Sequence, residues 1–137
     1  MKHIAVMAFL LLPISSQAGA LKLTLQGEGI GGKNLYVAVH TSPADFPVRD
    51  DNALRLTIVA TGDTAELLVP DVPAGEYAVA VFADSNENGK LDNNFFGIPK
   101  EPVGVSRNAK GRFGPPAFAD AAFRVGDGVT SQTIQLK

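Results

Sequence analysis

Apolar and polar residues alternate as soon as the first apolar run ends. Leu21, Leu23 and Leu25 point one way, and Lys22, Thr24 and Gln26 point the other. A period of two is that of a strand with one buried face. Gly27, Gly29, Gly31 and Gly32 follow and predict a turn. Leu35, Val37 and Val39 then alternate with Tyr36, Ala38 and His40. Leu54, Leu56 and Ile58 mark a third strand, and Ala65 to Val69 a fourth after the turn at Gly62-Asp63. Pro70 to Gly75 is turn-forming. Glu76 to Ala83 is apolar on both faces, with Tyr77, Val79 and Val81 on one and Ala78, Ala80 and Phe82 on the other. Such a strand belongs at the centre of a sheet. Ala121, Phe123 and Val125 give a sixth strand, and Thr130 to Leu136 a seventh.

About seven short strands separated by turns predict an all-β fold. The expected architecture is an antiparallel β-sandwich of the immunoglobulin or transthyretin-like kind. No useful window carries helical periodicity. The strand rhythm stops between Asp84 and Asp120, so one long ordered loop is expected there. Loops of that length inside a compact domain are often functional.

The first twenty residues follow a different pattern. Met1-Lys2-His3 is positive, Ile4 to Ile14 is almost wholly apolar, and Ala18-Gly19-Ala20 is a run of small residues. These are the three parts of a secretory signal peptide. The expectation is a signal peptide over 1–20, with cleavage after Ala18 as the alternative, and one domain over 21–137. The apolar run is short for a bilayer, so no membrane span is expected.

Composition narrows the remaining choices. The chain has 137 residues, 14 Gly, 9 Pro and no Cys. That is enough for one core and too little for two ordinary domains. Without Cys there are no disulfides or thiolate sites, which fits a bacterial periplasmic or secreted product. A formal net charge of -2 lacks the basic face that nucleic-acid binding needs.

The long loop holds the candidate chemistry. Asp84, Asn86 and Asn88 place oxygen donors at alternate positions, followed by Gly89. This is the first half of a calcium loop. The carbonyl of Lys90 and the side chain of Asp92 complete the candidate set. Position twelve is Phe95 rather than Glu, and a strand leads in, so the turn is not an EF-hand. With two carboxylates, weak Ca²⁺ binding is expected, on the order of 10⁻⁴–10⁻³ M. Asn-Gly turns also form without metal, and that reading stays open. Phe95, Phe96, Phe113 and Phe118 form either a satellite core under the loop or an apolar surface. Lys100, Arg107 and Arg112, with Lys110, give the loop a local basic excess. The Phe residues with Lys100, Arg107 and Arg112 are the candidate surface for a partner protein or small molecule.

Catalysis finds little support in the residues. After the leader the chain has one His, His40, expected at the surface of a strand end. Gly27-x-Gly29-x-x-Gly32 has dinucleotide-loop spacing, but no helix follows it. No nucleophile elbow or zinc-protease pair is present. The leading expectation is an exported, non-catalytic binding module. The alternative is a small-ligand carrier with the Phe-rich loop as a lid.

Four motifs in order carry a resemblance. They are Gly75-x-Tyr77, Asp84-x-Asn86-x-Asn88-Gly89-Lys90-Leu91-Asp92, Gly97-Ile98-Pro99-Lys100-Glu101, and Gly111-x-Phe113-Gly114-Pro115-Pro116-x-Phe118. Together they resemble the bacterial domain-of-unknown-function family numbered twenty-one forty-one. The resemblance implies an exported protein and supplies no activity. Val69 to Val79 is also similar to the strand entry of transthyretin-like and carboxypeptidase-regulatory sandwiches, which is a likeness of fold alone.

Overall fold

The computed structural model describes residues 18–44, 46–47, 52–87, 101–111 and 114–137. Strand β1 (Gly19–Gln26) lies between β4 (Thr64–Val72) and β8 (Val129–Gln135) in a three-stranded sheet. A second sheet has the order β3 (Leu54–Val59), β2 (Asn34–His40), β5 (Gly75–Asp84), β6 (Val103–Val105). The short β7 (Phe123–Val125) pairs with the start of β5. The all-β sandwich expected from the alternation is the observed fold.

The two sheets bury one core. Leu21, Leu23 and Leu25 from β1 meet Leu35 and Val37 from β2, Val79 and Val81 from β5, and Ile134 from β8. The alternation in β1 is read directly by burial, since its three Leu residues are fully enclosed and Lys22 is exposed. Truncating any of these Leu residues to Ala would cost about 2–5 kcal/mol. The opposite face of β5 is also covered. Ala78 packs with Phe46, Val105 and Ala121, with Ala80, Ala109 and Phe118 around them. Both faces of β5 are therefore apolar because each has its own core.

Several expectations change. The described residues hold eight strands rather than about seven, and the additional one, β6, lies inside the stretch expected to be loop. It is three residues long and centred on Gly104, too short and too bare to show alternation. A Cβ on Gly104 would come within 2.6 Å of the Gln135 carbonyl oxygen, so the glycine permits the close approach of β6 to β8. A 3-10 turn (Ser106–Asn108) follows β6, and a one-turn helix α1 (Phe118–Ala121) precedes β7. Ala121 therefore ends a helix, and the strand expected from it begins at Phe123. The sandwich is not wholly antiparallel, because β1 and β8 run parallel over Ala20–Gln26 and Val129–Gln135. His40, expected at the surface, is 3% exposed. Its ring meets Phe46 edge-on at 5.1 Å, because the segment after β2 folds back over it.

The first strand also begins earlier than expected. Gly19 pairs with Val72, and the Ala20 N–H donates to the Gly128 carbonyl at 3.0 Å. A Cβ on Gly19 would clash with the Gly126 carbonyl oxygen, so this end of β1 is packed closely against the β7–β8 turn. Residues 1–17 of the expected signal peptide lie outside the described residues. Among the described residues no helix is long and apolar enough to cross a membrane.

Candidate functional site at the end of the central strand

Asp84 is the last residue of β5, and it is 1% exposed. Its position follows from the sheet: Asn34 on β2 is its register partner, and the strand before it is held on both edges. The Ala83 N–H donates to the Pro102 carbonyl at 3.0 Å. One residue beyond Asp84, the Ser85 N–H donates to Oε2 of Glu101 at 2.6 Å. Glu101 is itself 5% exposed. The Lys33 ammonium donates to Ser85 Oγ at 3.2 Å. The chain leaves through exposed Asn86 and Glu87, the latter left-handed with φ 58°.

Two carboxylates are thus held out of water, one at the end of β5 and one two residues before β6. Withdrawing a carboxylate from water is costly unless other groups engage it. Glu101 receives the Ser85 N–H, and Asp84, Asn86 and Glu101 each interact with further groups of the chain. The oxygen spacing that points to Asp84 does not reach Glu101. Its only signal in the sequence was membership of the Gly97–Glu101 motif, far along the chain from Asp84.

Of the proposed calcium-loop donors, Asp84 and Asn86 are described. Asn88, Lys90 and Asp92 lie outside the described residues, as do Phe95, Phe96, Lys100, Arg112 and Phe113. Among the described residues no three His, Cys, Asp or Glu side chains gather as a metal cluster. Asp84, Asn86 and Glu101 are all oxygen donors, the class that Ca²⁺ takes.

Arg107 and Phe118 stand elsewhere. Arg107 is left-handed, with φ 59°, in the 3-10 turn. Its N–H donates to Gln132 Oε1 at 3.2 Å and its Nη1 donates to the Ala122 carbonyl at 3.3 Å. Beside it the Ser106 hydroxyl accepts from the Val79 N–H at 2.9 Å and donates to the Ala121 carbonyl at 2.6 Å. Asn108 Oδ1 accepts from the Gln135 N–H at 3.0 Å. These bonds fasten the turn to β5 and β8. Phe118 packs edge-on against Phe46 at 5.9 Å, half-buried over Ala78. From Ala78 to Asp84 along β5 is about 20 Å. The described geometry therefore does not bring Phe118 together with the Asp84 turn.

Two concave features lie among the described residues. An open groove of about 690 Å³ is lined by Gln26, Glu28, Asp63, Pro102, Gln135 and Lys137. It borders the chain at Pro102, and its lining is mixed polar and apolar. His40, Thr41, Ser42 and Asn52 surround a crevice of about 20 Å³, room for a single water.

No curated protein and no solved structure matches the chain. A family model does match, over residues 31–133, which spans every strand from β2 to β7 and most of β8. The match takes in the Asp84 turn, Glu101 and the 3-10 turn together, and the chain belongs to that family, described as an uncharacterised protein conserved in bacteria (DUF2141).

Proposed function

We propose that this protein is an exported, non-catalytic β-sandwich module that presents the loop beyond β5 as a binding surface. Weak binding of Ca²⁺ organises the turn that begins at Asp84. One observation carries the reading. Asp84 and Glu101 are both buried at the base of that loop, with Glu101 accepting from the residue next to Asp84. A calcium loop without an acid at its twelfth position lacks its strongest ligand. Glu101 supports the reading because it brings a second carboxylate to the same base by another route. Asp84, Asn86, Asn88, Asp92 and the Lys90 carbonyl are the other proposed donors. Bound Ca²⁺ would supply charge neutralisation and loop order rather than chemistry.

The non-catalytic reading rests on His40. Among the described residues it is buried against Phe46 and borders a water-sized crevice. A general base must come within hydrogen-bond reach of a substrate proton, and a buried ring beside a crevice of that size supports a structural role for His40.

Export is proposed from the leader, and the extent of β1 supports the alternative boundary after Ala18. Cleavage after Ala20 would remove two residues of β1, whereas cleavage after Ala18 keeps the strand whole. The proposed mature protein starts at Gly19.

The test is a melting experiment with Ca²⁺, Mg²⁺ or a chelator. A cation that binds only the folded state raises the melting temperature. Asp84→Ala is expected to abolish the Ca²⁺-dependent part of the rise. A rise that survives this substitution unchanged would remove the Asp84 turn from the site.

A further inference from the structure

We propose that Lys33 is a built-in competitor of calcium at the Asp84–Glu101 base, and that its ammonium sets how weakly the cation binds there. The inference rests on the calcium reading and names the residue that tunes it.

The backbone of Lys33 is fixed on both sides. Its N–H donates to the Ile30 carbonyl at 3.0 Å, and its carbonyl accepts from the Ala60 N–H at 3.2 Å. Ile30 is fully enclosed in the core. The next residue, Asn34, is the register partner of Asp84. Lys33 therefore enters β2 beside the residue on which β5 ends. It is half-buried, and its Nζ donates to Ser85 Oγ at 3.2 Å.

Ser85 joins this cation to the carboxylates. Its hydroxyl accepts from Lys33, and its N–H donates to Glu101 Oε2 at 2.6 Å. Asp84 precedes it in the chain. The ammonium and the Glu101 carboxylate thus engage two atoms of one residue. They stand closer than the screening length, which is about 10 Å at 0.1 M salt. Lys22 is the contrast, because its ammonium lies 4.0 Å from Glu66 in an exposed pair on the other sheet.

A positive charge held at this place acts twice. Without calcium it offsets part of the cost of withdrawing Asp84 and Glu101 from water. With calcium it repels a double charge brought to the same base. Both effects reduce what is gained on binding. At a separation just inside the screening length, Coulomb's law in a largely aqueous medium gives about a three- to tenfold effect on affinity. The weak binding expected at this turn thus has a second source besides its small number of carboxylates.

Calcium titration of the protein recovered after expression in bacteria, read by melting temperature, tests this. The calcium concentration at which the rise sets in reports the dissociation constant. Lys33→Gln keeps a donor for Ser85 and removes the charge. It is expected to move the onset to about three- to tenfold lower calcium. Lys33→Glu is expected to move it further, and Lys33→Arg, which keeps the charge, to leave it in place. Lys22→Gln removes a lysine from the other sheet and is also expected to leave it in place. Raising KCl to about 0.5 M is expected to shrink the gap between Lys33→Gln and wild type, since the charge is then screened. The melting curve of each variant in chelator checks its fold. A wild-type rise in calcium with an onset unmoved by Lys33→Gln would overturn this inference and leave the calcium reading standing. An equal move in Lys33→Arg, or a gap that salt does not shrink, would likewise overturn it, because bond geometry and not charge would then set the affinity. A wild-type melt identical in calcium and chelator would overturn both.

Discussion

The Ser85 N–H donates to Oε2 of Glu101 at 2.6 Å and ties the residue after β5 to the segment that leads into β6. A bond to a charged acceptor in a partly buried place contributes more than a neutral one, about 1.5–3 kcal/mol. The bond sits one residue from Asp84, so it also fixes where that carboxylate lies.

Glu101→Ala is therefore expected to lower stability by about 1–3 kcal/mol. Glu101→Gln keeps an acceptor for Ser85 and is expected to cost less. Urea unfolding of the three proteins checks the order, read from midpoints at unchanged slope. Equal costs for Ala and Gln would mean that the charge, not the bond geometry, holds the loop base.

Ser106 makes a different kind of clamp. Its hydroxyl joins the Val79 N–H to the Ala121 carbonyl inside the second core, with no exposure. Ser106→Ala leaves both backbone groups buried without that partner, and a loss of about 2–3 kcal/mol is expected. Faster amide exchange at Val79 relative to Val81 would place the loss at this bond. Unchanged exchange at Val79 would contradict it.

Gly104→Ala is expected to be as damaging by a steric route. The added methyl would meet the Gln135 oxygen at 2.6 Å and Ile134 Cγ2 at 2.8 Å. Overpacking of this kind costs about 1–3 kcal/mol. A mutant as stable as the native protein in urea would show that β6 can shift away from β8 freely.

The mature N-terminus is expected at Gly19. Intact-mass measurement of protein recovered from the periplasm or medium checks it. A mass that starts at Leu21 would show that β1 does without its first two residues, and retention of the leader would refute export by this route.

Much of the sandwich was legible because burial on one face writes a period of two into the sequence. Leu21, Leu23 and Leu25 carried it in β1, and Tyr77 to Phe82 showed the two-faced pattern of a central strand. Strand β6 was not legible. Its identity comes from β5 on one side and the chain after β8 on the other, and Gly104 carries no side-chain signal. The parallel pairing of β1 with β8 joins the two ends of the domain, which local patterning cannot report. The burial of His40 leaves no local pattern, because its cover, Phe46, lies outside the strands. In the candidate site Asp84 was visible from oxygen spacing. Glu101 was not, since the pairing of β5 with β6 brings it there and not any spacing from Asp84.

Calcium uptake at the Asp84–Glu101 base is tested most directly by melting with and without the cation. With a dissociation constant near 10⁻⁴–10⁻³ M, 10 mM Ca²⁺ is expected to raise the melting temperature by about 5–10 °C over the chelated protein. Mg²⁺ is expected to do much less, because it demands a tighter octahedral shell. Asp84→Ala is expected to erase the calcium-dependent rise. An identical melting temperature in calcium and in chelator would contradict the metal reading and leave Asp84 and Glu101 as a hydrogen-bonded loop clamp.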